Sequence, residues 1–85
     1  MPDFEVEVRV MPRESLLDPQ GQTVEHALHA LGFGEVRGVR IGRAIKFSLS
    51  CGSAEEAERS VRAMCERLLA NPVTEDFHIA VRKAS

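Results

Sequence analysis

The chain has 85 residues, enough for one small domain, with 11 Lys+Arg against 13 Asp+Glu and a formal net charge of −2. That balance excludes a strong polyanion-binding field and an acidic disordered tail, and 44% hydrophobic residues is a globular composition. With no Trp, no Tyr and four Phe there is little for a base-stacking platform, and no apolar run approaches the ~20 residues of a membrane span.

Phe4-Glu5-Val6-Glu7-Val8-Arg9-Val10 alternates apolar and charged residues, the period of a strand with one buried and one wet face. A strand is placed over 4–11, ended by Pro12, which has no N–H for a ladder. Asp18-Pro19 pairs an N-cap carboxylate with a residue already set to helical φ. Val24, Ala27, Leu28 and Leu31 recur at helical spacing, so a helix is predicted over 19–31, with Gly32 as a left-handed C-cap. Gly21 weakens its first turn and leaves Thr23 as the other candidate start.

Residues 35–41 are rich in β-branched side chains but lose their alternation at Gly38, and are read as a second strand with a bulge. Gly42-Arg43 reads as a two-residue hairpin turn into a cleanly alternating strand over 44–51. Ser53-Ala54-Glu55-Glu56 has the form of a capping box opening a helix over 54–70. Its apolar face is Ala54, Ala57, Val61, Met64, Cys65, Leu68 and Leu69, and Asn71-Pro72 stops it. Phe77, Ile79 and Val81 then alternate in a last strand over 76–82.

The order β-α-β-β-α-β over a single domain, 1–85, predicts an α+β, ferredoxin-like fold. Its four-stranded antiparallel sheet would carry both helices on one face. Right-handed crossovers put the first and third strands side by side. The other face would show Glu5, Glu7, Arg9, Lys46, Ser48, Ser50, His78, Ala80 and Arg82. That set reads either as a solvated face with cross-strand charge pairs or as a polar subunit interface. A chain this short buries only about 60–65% of the surface it exposes unfolded, so a homo-oligomer is expected, a dimer or a tetramer.

Candidate chemistry is sparse. Cys51 and Cys65 fall in apolar phase with no CxxC and no basic partner, and read as buried thiols. His26 and His29 share a helix, but with only His78 besides they read as surface histidines, not metal ligands. No glycine-rich phosphate motif is present. We expect no catalytic residue, no cofactor and no metal in this chain. The acidic start Met1-Pro2-Asp3-Phe4-Glu5 has no basic leader, so a cytoplasmic, reduced protein is expected, binding neither nucleic acid nor membrane.

Three stretches carry a resemblance when taken together. They are Leu17-Asp18-Pro19-Gln20-Gly21, Val39-Arg40-Ile41-Gly42-Arg43, and Leu68-Leu69-Ala70-Asn71-Pro72-Val73-Thr74-Glu75-Asp76-Phe77. In this order they resemble the PurS family, the small subunits of bacterial and archaeal phosphoribosylformylglycinamidine synthase, from about Phe4 to Val81. Arg43, Thr74 and Phe77 stand where that family usually has Lys, often Ile and often Tyr.

The resemblance implies a complex. A glutaminase subunit releases ammonia from glutamine, and a large synthetase uses ATP and magnesium to convert formylglycinamide ribonucleotide to formylglycinamidine ribonucleotide. The small subunit has no active site; it bridges the other two and helps ammonia pass. Asp18, Gln20, Arg40, Arg43, Asn71, Pro72, Glu75 and Asp76 lie in the shared stretches and become candidates for the partner interface. The loop 71–76 stands foremost. Its proline fixes φ, a rigid loop loses little entropy on docking, and two carboxylates suit Arg or backbone N–H groups on a partner. The competing reading is that Asn71 caps the preceding helix and the acids are solvated.

Three rivals remain, the first two sharing the element order. A regulatory ligand-binding module of the ACT type is the main alternative. An RNA-recognition module would need aromatics where the third strand exposes Lys46, Ser48 and Ser50. An acylphosphatase-like enzyme would need glycines around Arg13, which are missing.

Overall fold

The computed structural model describes residues 1–84. It contains three strands, β1 (Asp3–Pro12), β2 (Arg43–Ser50) and β3 (Glu75–Lys83), and two α-helices, α1 (Pro19–Ala30) and α2 (Ala54–Met64). A π-helical segment, Cys65–Leu69, extends α2. The sheet is antiparallel in the order β2-β1-β3, which places the predicted first and third strands side by side.

β1 is the central strand, and its inward side chains are the most deeply buried of the sheet. Phe4, Val6, Val8 and Val10 all point to one side and are buried. Val6 lies opposite Phe47 and Val81, and Val8 opposite Ile45 and Ile79. Val61, Cys65 and Ala70 close the main cluster from the other layer, and Phe4, Cys51 and Ala57 form a second. Each fully buried valine contributes about 1.5–3 kcal/mol of transfer free energy. Both cysteines are free and buried, as their phase predicted. Burial also pushes the Cys65 thiol up from its ordinary value.

α2 begins as expected. Ser53 Oγ accepts the Glu56 N–H at 3.1 Å. The reciprocal half of the box is displaced by one residue, since Glu56 Oε2 takes the Gly52 N–H, at 3.1 Å. The far end differs from the plain helix predicted to residue 70. The Ala70 N–H donates to Cys65 O, five residues back, at 3.1 Å, and the widened turn buries Ala70 while Leu68 is 82% exposed. Apolar spacing alone does not distinguish this turn from an α turn, so Leu68 drops out of the predicted apolar face.

Two further expectations are corrected. Residues 35–41 are not a strand, and the sheet has three strands instead of four. The amides a ladder would use are taken by side chains near or on α1: Val39 N–H donates to Glu25 Oε1 at 3.1 Å and Ile41 N–H to Asp18 Oδ2 at 2.8 Å. His29 Nε2 donates to Val36 O at 2.7 Å, and Gly38 has φ 69°, outside extended backbone. Gly42-Arg43 is accordingly no hairpin turn; Arg43 already belongs to β2.

Nor do both helices cover the sheet. α1 starts at Pro19, capped by Asp18, and Gly32 follows it with φ 103° as predicted, but none of its residues enters either apolar cluster. The helix with its return segment stands off the body. The radius of gyration is 16.5 Å, against about 12 Å for a compact chain of this length. The inner face of β2 is left half-covered at Ile45, Phe47 and Leu49.

The outer sheet face carries the predicted residues in register. Glu5 lies between Ser48 and Arg82, Glu7 between Lys46 and Ala80, and Arg9 between Ala44 and His78. Arg82 Nη2 pairs with Glu5 Oε2 at 2.9 Å across the strands.

Candidate functional site

The register brings distant segments to one end of the sheet. Val10 sits opposite both Arg43 and Phe77, Met11 opposite Asp76, and Pro12 opposite Glu75. The end of β1 thus meets the starts of β2 and β3, along with the loops that lead into them.

The connection after α2 is clasped from two sides. Arg43 Nη1 bonds Glu75 Oε2 at 2.7 Å, and Nη2 bonds both Glu75 Oε1 at 3.1 Å and Leu69 O at 2.7 Å. Glu75 Oε1 also accepts the Asn71 N–H at 2.8 Å. From the β1 side, Arg13 Nη2 donates to Pro72 O at 2.6 Å, and the Arg13 N–H to Thr74 O at 3.0 Å. Asn71 Oδ1 turns forward to accept the Val73 N–H at 3.0 Å, an Asx turn that does not cap the helix. The Arg43 guanidinium holds the Glu75 carboxyl below its ordinary range, with the Asn71 N–H adding to the effect. A lysine at position 43 has no planar fork with which to hold two carboxylate oxygens and a carbonyl together.

Asp18 fixes the other loop. Its Oδ1 accepts the Gly21 N–H at 3.0 Å and its Oδ2 the Ile41 N–H. These two bonds lower its pKa, and Arg40 nearby lowers it further. One carboxylate therefore starts α1 and anchors the segment feeding β2.

Of the eight candidates, Arg40, Arg43, Asn71, Pro72, Glu75 and Asp76 gather at this end. Asp18 joins through Ile41. Gln20 stays exposed in the first turn of α1, beside an open cleft with Thr23, Val24 and Ile41. Glu75 is an internal clasp, not the free acid the sequence led us to expect. Asp76 is 70% exposed at its side chain, with its Oδ1 3.7 Å from Arg13 Nε. Arg13 itself was not among the candidates; its signal is an arginine placed directly after the strand-ending Pro12. Beside these bonds, Val73 and the neighbouring Leu68 face solvent, 76% and 82% exposed.

This end of an α+β fold spends its polar groups on holding two loops still and leaves Leu68 and Val73 exposed beside them. Residues 5–83 match the family model PurS, described as phosphoribosylformylglycinamidine (FGAM) synthase, and the chain belongs to that family. It is 42% identical over 80 residues, 94% of each chain, to the phosphoribosylformylglycinamidine synthase subunit PurS of Bacillus subtilis. Among solved structures it resembles Methanocaldococcus jannaschii PurS, with a TM-score of 0.87 and 33% identity over 96% of this chain and 99% of that one. A chain in the structure of PurLQS from Thermotoga maritima matches with a TM-score of 0.87 and 33% identity, over 99% of this chain and 100% of that one. The ACT-type alternative gives way to this family.

Proposed function

We propose that this chain is the small, non-catalytic subunit of a phosphoribosylformylglycinamidine synthase in purine biosynthesis, bridging a glutaminase and a large synthetase and assisting ammonia transfer between them. The observation that carries this reading is its likeness, along 99% of its length, to a chain of the Thermotoga maritima PurLQS structure. The Methanocaldococcus jannaschii relative is described as one of the subunits of formylglycinamide ribonucleotide amidotransferase in the purine biosynthetic pathway. Among the described residues, no three His, Cys, Asp or Glu side chains gather closely enough to hold a metal ion. In this reading ATP and magnesium belong to the synthetase. No helix of the described residues is long and apolar enough to cross a membrane. The two unpaired thiols, Cys51 and Cys65, fit a reducing compartment, and the proposed subunit is a cytoplasmic one.

The physical need for a bridge is that ammonia released into water at neutral pH becomes ammonium, which has no lone pair to attack with. Two active sites held together around a shielded path keep the reactive form. Reconstitution with glutaminase and synthetase tests this. Glutamine-dependent turnover should require this chain, and turnover fed directly with ammonium should depend on it far less. Equal dependence in the two assays would refute the bridging role.

Two copies pair in this reading. α1 leaves its own sheet and exposes Val24 and Leu31, 39% and 73%, while Ile45, Phe47 and Leu49 of β2 lack full cover. A second copy supplies to each surface what its own chain withholds, the self-complementary arrangement of a two-fold pair.

A further inference from the structure

β2 is an edge strand. It has β1 on one side only, and among the described residues no backbone hydrogen bond from a loop or helix reaches residues 43–50. One row of its N–H and C=O groups is therefore open. Natural edges are blunted by charge, proline or cover. The other edge strand, β3, carries Asp76, His78, Arg82 and Lys83. β2 has no proline, and past Arg43, whose guanidinium is spent on Glu75 and Leu69 O, its one charge is Lys46.

The two faces of the strand differ. Ala44, Lys46, Ser48 and Ser50 are exposed, while Ile45, Phe47 and Leu49 pack against the main cluster and stay half-covered. In an antiparallel pair, opposed residues share a face. A strand that pairs with its own copy about a two-fold axis must therefore centre on a residue, never between two. Centring on Lys46 would set two lysines face to face, and centring on Ser48 shortens the ladder. Centring on Phe47 opposes Ile45 to Leu49, Phe47 to itself, Lys46 to Ser48 and Ala44 to Ser50. That register sets every half-covered apolar side chain of the strand beside another and opposes no like charges.

We propose that a second copy of this chain docks edge to edge on β2, antiparallel and centred on Phe47, so that the two sheets run on as one. The proposal rests on the two-copy reading above and names where the copies meet. The two-fold axis makes the contact self-complementary, and the ladder gives each open N–H an acceptor. Ile45, Phe47 and Leu49 gain cross-strand neighbours of their own kind. A strand from a different subunit would satisfy the same backbone groups, but β2 itself carries the side chains that match.

The test is sedimentation of the full chain with Ser48→Lys, at several salt concentrations. The substitution sets a second ammonium against Lys46 of the opposite copy, twice over by symmetry. Within its own chain the new side chain lies across from Glu5, so the fold is not penalised. Self-association should weaken about 2- to 30-fold, and by less as salt rises. Combining Ser48→Lys with Lys46→Gln removes the repulsion and should restore association to the wild-type level. Failure to restore it means that position 48 meets some other group or unsettles the fold, and overturns the register. If Ser48→Lys pairs as tightly as wild type at low salt, the edge contact is wrong and the two-copy reading stands. A wild type that stays single at high concentration overturns both. Intact self-association with lost assembly onto synthetase and glutaminase would give the edge to a different subunit, and overturns the second copy as its occupant.

Discussion

Glu75 illustrates how much of a side chain's role depends on a partner far away in sequence. Read locally it is one of two loop acids; in the fold it is the acceptor for Arg43, 32 positions earlier, and for the Asn71 N–H. Pattern reading found Asp18 as a helix cap because Asp-Pro states that role locally. It had no access to the second bond of Asp18, to Ile41, 23 residues on. Glu75→Gln keeps an acceptor oxygen but removes the charge. It should cost about 1 kcal/mol at neutral pH, discounted for the half-exposed Arg43, or about 4–8 °C in the thermal midpoint. Because folding lowers the Glu75 pKa, its stabilisation is complete above the ordinary carboxylate value of about 4.3. It is lost as pH falls through the lower folded value. Melts from neutral pH into strong acid should therefore show the wild type and variant converging only below about pH 4. A difference that persists undiminished in strong acid would assign the cost to packing instead of charge.

Elements written in strong periodic patterns were legible, and elements decided by side-chain capture of the backbone were not. β1, β2 and β3 fall within two residues of their alternating stretches, and α1 and α2 start at their caps. The 35–41 segment has strand-like composition, yet its amides are claimed by Glu25 and Asp18. Composition favours a strand only when ladder partners are free. Six of the candidate positions come together at one end of the sheet, while the division of labour among them was not legible: Glu75 and Arg43 hold the loop. Gly21 permits the close approach of α1 to its return segment, since a Cβ there would lie 2.2 Å from Val39 O and 2.7 Å from Asp18 Oδ2. Gly21→Ala should pry the two apart. We expect amide exchange at Val39 and Ile41 to rise about tenfold or more, with the β1–β3 ladder unchanged. Uniform loss of protection across the sheet would mean that α1 is part of the global fold.

At the scale of the molecule, the order of strands and helices pointed to an α+β fold, and the extended shape, 51 × 30 × 14 Å, was not foreseen. Compactness is the default when helices are assigned to a sheet from pattern alone, and nothing in the spacing of Val24, Leu28 and Leu31 says whose sheet they meet. Sedimentation of the isolated chain should show a two-copy species. Leu31→Glu should shift it towards one copy while changing monomer stability by no more than about 0.5 kcal/mol, because Leu31 is already exposed. A single-copy species for wild type at high concentration would sink the pairing. The position of β1 has a consequence in time as well as in space. The strand made early is the centre of the sheet, and one of its two neighbours, β3, is translated after every other element described. Glu5 waits for Arg82, 77 residues later. Closing so long a loop adds little to the equilibrium cost, about 0.6 kcal/mol per doubling, but it delays completion. Until β3 leaves the ribosome, Val6, Val8 and Val10 have cover on one flank at most, so the nascent subunit is most open to misassociation in the moments before its last strand arrives.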